Sequence, residues 1–572
     1  MPDRPYDSVM PRMVPGVLAL ALVSLAAIQF PKYTAAHDEP SLVTLSIVGT
    51  SDLHGAKLPG NGSLGGGLPL LAGYVNNLRA AREADGGAVL LLDSGDTFQG
   101  DVESNLSEGA LVVDAYNAMG YTAEAIGNHD FDFGAADSPA ARQSPGDPRG
   151  ALKARAAQAR YPFLAANLID DATGRPVEWP NVRPAVLVDA AGIKIGIVGV
   201  MTIDALRSTI AANVQGLRIA PLAPTIAANA AKLRAGGADV IIVAAHAGGG
   251  CERFDQPRDL SSCELESEIF QVARGLPAGL VDVIAAGHTH AGLAHEVNGI
   301  GIIQPFSRGQ SFGRVDVIVD RRTRRAVRMR LFPPRQIVPA EYEGKAVTSD
   351  PVIVQAMATA LQRVHRLQAT SLGVTLDVPI PRSGAFGSPL GNLFAEAIRA
   401  AVNGADVAAV NNAAVGLRAD LLEGPITVGR LYDVFPFDNR IARITLSGAE
   451  LGRWVAGEFR QGRRGSLGIS GVEVRASCQA DGLHVDLFRG AARIHDDDRL
   501  LAVTIGAPTP SGRLASTAPL GGVGPIGNSP VVREVVEDWV RRLGPSANGR
   551  LDDVTHRSPA FADAPIIDCV AR

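Results

Sequence analysis

The sequence predicts a layered α/β domain followed by a smaller α+β domain, and three observations lead there. At 572 residues, the chain exceeds the roughly 250 to 300 residues at which single hydrophobic cores stop growing, so two domains are expected. From Leu42 onward, apolar runs of strand length alternate with helical patterns, as buried strands joined by helical crossovers do. After Pro333-Pro334 a second unit begins, in which helices and strands come in mixed order.

Taken from the start, residues 1–36 carry Arg4 and Arg12, an apolar run over 14–28 and the small-residue stretch Thr34-Ala35-Ala36, which reads as a secretory signal. The run is shorter than the roughly 20 apolar residues of a spanning helix, and no later stretch reaches that length. A periplasmic or secreted chain without an integral membrane span is expected, with an uncleaved N-terminal anchor as the alternative. The net charge of -5, from 54 Lys and Arg against 59 Asp and Glu, gives no reason to expect nucleic acid or an anionic membrane as partner. Four cysteines (Cys251, Cys263, Cys478 and Cys569) permit two disulfides in an exported chain. The close spacing of Cys251 and Cys263 favours a local bridge between them, and no CxxC spacing points to metal.

The runs 42–48, 89–92, 193–200, 240–245 and 281–286 read as buried strands. Between the first two, Leu68, Leu71, Val75 and Leu78 recur at helical spacing, giving strand, helix, strand order. Residues 351–367 form a connecting helix with Asp350 as N-cap, Pro351 at its first position, and Ile353, Met357, Ala360, Leu361 and Val364 on its apolar face. Ser388-Pro389 starts a second helix with Leu390, Leu393, Phe394, Ala397, Ile398 and Ala401 on one face. Strands at 407–410 and 441–446 come next, then a Gly- and Pro-rich loop at 507–529, then a helix capped by Ser529-Pro530 that buries Val532, Val536, Trp539 and Val540.

The residues with chemistry to offer cluster just past these runs. The first run leads into Ser51-Asp52-Leu53-His54-Gly55, the second into Asp93-Ser94-Gly95-Asp96, the fourth into His246 and the fifth into Gly287-His288-Thr289-His290. A further turn, Gly127-Asn128-His129-Asp130-Phe131-Asp132, comes after the apolar residues 123–126. In open α/β sheets ligands bind beyond the carboxyl ends of strands, so these loops can converge. Asn, His and Asp are also ordinary turn residues. Five histidines so placed, interleaved with Asp52, Asp96 and Asn128, nevertheless offer enough nitrogen and oxygen ligands for two divalent metals and one acid–base group. Two metals about 3.5 to 4 Å apart generate hydroxide and clamp the oxygens of an in-line displacement.

These residues carry a resemblance. Asp52-Leu53-His54, Gly95-Asp96, the turn from Gly127 to Asp132, and Gly287-His288-Thr289-His290 resemble the calcineurin-like metallophosphoesterases. Ser388-Pro389-Leu390-Gly391-Asn392-Leu393 and Phe435-Pro436-Phe437-Asp438-Asn439 resemble the C-terminal domain of the secreted 5′-nucleotidase and UDP-sugar hydrolase family. The resemblance implies a four-layer metallophosphoesterase sandwich over 37–335, a linker and connecting helix over 336–367, and a smaller α+β substrate domain over 368–572. It also implies that Asp52, His54 and His290 hold one metal, that Asn128, His246 and His288 hold the other, and that Asp96 bridges them. His129 becomes the catalytic imidazole and Asp132 its orienting partner. Arg418 contacts phosphate, Phe437 stacks on a base with Asn439 beside it, and Arg382 stands as a second phosphate ligand. Zinc or manganese comes first as the metal, with cobalt, iron or magnesium as alternatives.

The sequence departs from that family pattern in three places. Asn412-Ala413-Ala414-Val415-Gly416-Leu417-Arg418 is less glycine-rich than the family's loop, leaving the register of Asn412 open, and the Arg-x-x-Glu spacing upstream of Ser388 is missing. Where relatives have a second ring and Gly-Gly-Asp-Gly, this chain reads Ile505-Gly506-Ala507-Pro508. The expected activity is a dinuclear-metal phosphoester hydrolase releasing phosphate from nucleoside monophosphates. A phosphatase, UDP-sugar hydrolase or cyclic phosphodiesterase for another ester is the alternative, and a non-catalytic exported metal-containing binding protein is the alternative of another class.

Overall fold

The computed structural model describes residues 42–56, 67–136, 146–384, 387–411, 416–437, 439–460, 464–479, 482–505, 524–525, 530–549, 551 and 560–561. The signal-like segment, Asn412 to Val415, Cys569 and most of the 507–529 loop lie outside these residues.

Alternation with period two gives each long strand two apolar faces. β1 (Leu42–Thr50) sends Val43, Leu45 and Ile47 to one side and Val48 to the other, and β2 (Ala88–Asp93) separates Leu90 and Leu92 from Leu91 in the same way. The other strands of the two large sheets are β3 (Ala123–Ala125), β4 (Phe163–Leu164), β5 (Val182–Arg183), β6 (Ala185–Ala190), β7 (Ile193–Met201), β8 (Val240–His246), β9 (Val283–Ala286), β10 (Leu293–Val297), β11 (Ile300–Gln304), β12 (Ser311–Asp320) and β13 (Arg325–Gln336). Seven of them form one sheet in the order β13-β12-β1-β2-β3-β4-β5, and six form another in the order β10-β11-β9-β8-β7-β6.

The inner faces meet: Leu45, Ile47, Leu90 and Leu92 of one sheet pack on Ile195, Ile197, Ile242 and Val283 of the other. A one-residue slip of any strand would turn such a side chain outward, at about 1.5 to 3 kcal/mol each, which fixes the register. The outer face of the first sheet is covered by α1 (Gly67–Ala84) and, beyond the short α2 (Val102–Asn105), by α3 (Ala110–Met119). α4 (Leu222–Ala235) and α5 (Glu268–Gly275) cover the second. The result is a four-layer helix, sheet, sheet, helix sandwich. β1, β2 and β3 run parallel, as do β7, β8 and β9, so their carboxyl ends open at one edge of each sheet.

Some boundaries differ from expectation. β13 runs through Pro333 and Pro334 to Gln336, because it is an edge strand and its pairing with β12 shifts register between Phe312 and Arg314, opposite the prolines. His246 closes β8 as its last residue, paired with Met201, and does not stand beyond the strand.

α6 (Pro351–Gln368) is capped by Asp350, whose Oδ1 accepts from Val352 N at 2.8 Å, and it lays Ile353, Met357 and Leu361 onto the outer layer of the sandwich. α7 (Pro389–Ala401) comes next, its N-cap Ser388 Oγ accepting from Gly391 N at 2.8 Å. The second domain has a five-stranded sheet of β14 (Val407–Asn411), β15 (Ile441–Ser447), β16 (Leu467–Ser470), β17 (Arg499–Ile505) and β18 (Gly524–Pro525), in the order β16-β14-β17-β15-β18. α7, α8 (Val428–Val434) and α9 (Val532–Leu543) build its main core. α9 starts later than expected, at Val532 with Val531 as N-cap, because Val532 N is taken by Asn439 O at 2.8 Å. Val102 and Leu106 of the first domain pack against this core, so the two domains touch.

Candidate active site

The loops beyond β1, β2, β3, β8 and β9 converge. Among the described residues, Asp52, His54 and His290 form one group of metal-capable donor atoms and Asp96, His246 and His288 another, with the atoms of each group within 4.8 Å of one another. His54 Nε2 lies 3.1 Å from His290 Nε2, and His246 Nε2 lies 3.2 Å from His288 Nδ1. Asn128 Oδ1 is 3.0 Å from His246 Nε2, and Asp96 Oδ2 is 3.9 Å from His54 Nε2 and 3.3 Å from His246 Nε2.

The outer hydrogen bonds explain which nitrogen faces inward. His54 Nδ1 donates to Gln99 O at 2.8 Å and His246 Nδ1 donates to Ser94 O at 2.8 Å, leaving both Nε2 lone pairs for the centre. Asn128 Nδ2 donates to Ser208 O at 3.0 Å, which aims its carbonyl oxygen inward. Ring nitrogens about 3 Å apart with lone pairs facing one another repel unless a cation or proton lies between them, so this donor set fits divalent metal.

Five donors sit on left-handed backbone: Asp52 at φ 50°, His54 at 53°, Asp96 at 57°, His288 at 78° and His290 at 58°. The turns leave no room for larger residues. A Cβ on Gly127 would stand 2.2 Å from Asp96 N, and one on Gly95 would stand 2.6 Å from Gly127 N. Buried carboxylates brace both turns: Asp130 accepts from Gly127 N at 2.7 Å and Thr97 N at 3.0 Å, and Asp93 accepts from Gly95 N at 2.8 Å. Burial raises Asp93 to about 6 and Asp130 to about 7.

Charge within the cluster is uneven. Burial raises Asp96, but the imidazoliums of His246, His129 and His54 outweigh it and hold the carboxylate well below its ordinary range. Burial lowers His54, and burial together with His246 brings His288 down to about 4. Burial opposes charge on His246 as well, yet Asp96 raises it to about 9. Ligation needs neutral imidazole, so metal and protons compete for that ring.

His129 stands beside these groups, its ring centroid 5.5 Å from that of His54. Its Nδ1 is 2.6 Å from Asp132 Oδ2, and Thr209 Oγ1 donates to Asp132 Oδ1 at 2.7 Å. Burial opposes the charged ring, but Asp132 and Asp96 raise it to about 10. The side chain keeps 37% of its surface exposed, so a ligand can reach it.

The second domain brings the remaining candidates. Arg418 Cζ lies 5.0 Å over the Phe437 ring, and Arg382 Nη1 donates to Arg418 O at 2.7 Å. Arg382 thus buttresses the Arg418 loop, while Asn439 fastens the far side of its own loop to α9 through its carbonyl. Pro436 O accepts from Asn105 Nδ2 at 2.9 Å and from Gln99 Nε2 at 3.5 Å, which seats the Phe437 loop beside the His54 turn. Sequence reasoning missed Ser94, Gln99, Thr209, Asn105 and the bracing role of Asp130. The first two act through main-chain carbonyls, which no side-chain pattern reveals, and Thr209 lies in an unrelated loop. The local Cys251–Cys263 disulfide forms, with Cα atoms 4.1 Å apart.

Residues 370–499 match the family described as 5′-nucleotidase, C-terminal domain. A 5′-nucleotidase of Vibrio cholerae is 26% identical over 443 residues, covering 71% of this chain and 74% of that protein. Endonuclease YhcR of Bacillus subtilis is 26% identical over 430 residues, covering 72% of this chain, and the chain spans only 32% of that relative. A putative 5′-nucleotidase from Staphylococcus aureus shares the fold, with a TM-score of 0.61 at 17% identity, covering 91% of this chain and 99% of that one. Residues 370–499 thus match a 5′-nucleotidase C-terminal domain, most of the chain is similar to a curated 5′-nucleotidase, and the chain shares the fold of a solved one.

Proposed function

We propose that the chain releases phosphate from nucleoside 5′-monophosphates with two divalent metal ions held at the strand ends. Asp52, His54 and His290 would hold one ion, and Asn128, His246 and His288 the other, with Asp96 facing both. The nitrogen and carboxylate donors suit zinc or manganese, and also cobalt, iron or magnesium. Such a pair supplies Lewis-acid stabilisation of phosphoryl oxygens and a nucleophile at neutral pH.

The protein's own groups do the rest. His129, fixed through Nδ1 by Asp132, keeps Nε2 to deliver a proton to the leaving alkoxide. Arg418, steadied by Arg382, neutralises phosphate charge, and Phe437 offers a ring for the base, with Asn439 beside it. No helix among the described residues is long and apolar enough to cross a membrane. The signal-like stretch over residues 1–36 supports an exported protein.

The observation that carries this reading is the paired donor groups meeting at Asp96, directly beside the His129–Asp132 pair. Phosphate release from AMP, GMP and UMP should stop on chelation and return with zinc or manganese. An enzyme that ignores all three, yet cleaves a UDP-sugar, a cyclic nucleotide or single-stranded DNA, would overturn it.

A further inference from the structure

Pro436 and Phe437 are held from both sides. From the second domain, Arg533 Nη1 donates to Phe437 O at 3.2 Å, and its guanidinium lies 3.8 Å over the Tyr432 ring. From the first domain, the buried Asn105 Nδ2 donates to Pro436 O at 2.9 Å. Asn105 has a second task, since its Oδ1 accepts from Gly100 N at 2.8 Å and its Nδ2 also reaches Gly100 O at 3.1 Å.

Gly100 belongs to the segment that seats His54. Asp101 N donates to His54 O at 3.0 Å, and Gln99 O accepts from His54 Nδ1 at 2.8 Å. Gly100 at φ 155° passes so close to the metal-ligand turn that a Cβ there would stand 2.3 Å from His54 O. The Asn105 amide, with a longer 3.5 Å contact from Gln99 Nε2 beside it, therefore joins the segment that orients a proposed metal ligand to the loop that carries Phe437.

We infer that Asn105 is a positioning residue that sets substrate selectivity, latching the Phe437 loop against the His54 turn so that esters bearing a base are favoured over esters without one. The inference rests on the nucleotide reading above and names what holds its base-binding part in place. The latch touches neither phosphate nor the reacting atoms, so its loss should fall on base recognition and leave the chemical step alone.

Asn105→Asp keeps the acceptor for Gly100 N but removes the N–H that reaches both Pro436 O and, at 3.1 Å, Gly100 O. The carboxylate still accepts from Gly100 N, but it has no N–H for Pro436 O and sets an oxygen against it. A buried hydrogen bond of this kind corresponds to about a tenfold effect. The test measures kcat and KM of the metal-loaded full chain on AMP and on ribose 5-phosphate. In Asn105→Asp, kcat/KM for AMP should fall about tenfold, mainly through KM, while the value for ribose 5-phosphate changes less than about twofold. Asn105→Ala, which also lacks the donor, should show the same loss of ratio and serves if the buried carboxylate prevents folding. Equal losses on both esters would make Asn105 a purely structural residue and overturn the inference. Wild-type enzyme that treats both esters alike would overturn it too, since there would be no base recognition to latch. Hydrolysis of neither ester would instead refute the nucleotide reading itself.

Discussion

Replacing Gly127 by Ala tests whether the position of Asp96 controls the metal centre. The added Cβ would stand 2.2 Å from both Asp96 N and Asp96 Oδ1 and 3.0 Å from its Cα, so one of the two turns must move by about an ångström. Neither moves freely: Asp130 binds Gly127 N and Thr97 N, and His129 N donates to Asp96 Oδ1 at 2.8 Å. Gly127 is not among the residues with positive φ, so the effect is steric and not a backbone preference. Overpacking of this kind costs about 1 to 3 kcal/mol, and a 1 Å error in catalytic geometry costs about a hundredfold in rate. Gly127→Ala should therefore lose bound metal, measured by elemental analysis after dialysis, and about a hundredfold in kcat/KM on AMP. Gly457→Ala is the control: nothing lies within 4 Å of its Cβ position, and it sits inside a helix, where Ala is favoured by about 1 kcal/mol. Wild-type metal content and rate in Gly127→Ala would refute the argument that Asp96 has no room to yield.

His129→Ala should lower kcat on AMP by about 10²- to 10⁴-fold with metal content intact, and should cost less on an aryl phosphate, whose leaving group needs less protonation; equal losses would favour electrostatic stabilisation instead. Phe437→Ala should cost at most about 1 to 3 kcal/mol in kcat/KM, the range for one stacked face. With no second ring or ribose carboxylate in the sequence motif, adenine, guanine and pyrimidine monophosphates should differ by about tenfold or less, and a 2′-deoxynucleotide should react about as well as its ribose form; a thousandfold preference for one base would contradict this. Replacing Cys251 and Cys263 together by Ser should lower stability by about 3 kcal/mol in denaturant titrations, and peptide mapping without reduction should recover the bridged pair.

The sandwich was legible because its strands are buried on both faces, so each reads as a continuous apolar run, and because the polar residues begin where those runs stop. The donors Asp52, His54, Asp96, His246, His288 and His290 could be found for that reason alone. Their fine orientation could not. It depends on the carbonyls of Ser94 and Gln99 and on Thr209, which is 77 residues from Asp132 in sequence. Asp130 was legible as a member of the central turn but not as a brace, since nothing local says that it points inward while Asp132 points to His129. Pro333 and Pro334 fall inside β13, three and two residues before its end: a diproline is a strong breaker signal, but an edge strand with a register shift tolerates it.

The left-handed donors show how the fold supports the chemistry. A non-glycine residue in that region costs about 1 to 3 kcal/mol, and five of the donors adopt it. Such strain persists only where the surroundings overdetermine the conformation. Here every strained donor lies one to four residues beyond a strand whose inner and outer faces are both buried, or beside a turn braced by Asp93 or Asp130. Relaxing one turn would require sliding a strand, at about 1.5 to 3 kcal/mol for each inner side chain turned outward, which exceeds what a single relaxed dihedral returns. The sheets therefore hold the ligand turns in a geometry that the turns would not choose alone. The Phe437 loop, by contrast, meets the first domain through a few side-chain amides. On the proposed function, metal binding thus falls to the rigid part of the molecule and base recognition to the part that rests on separable contacts.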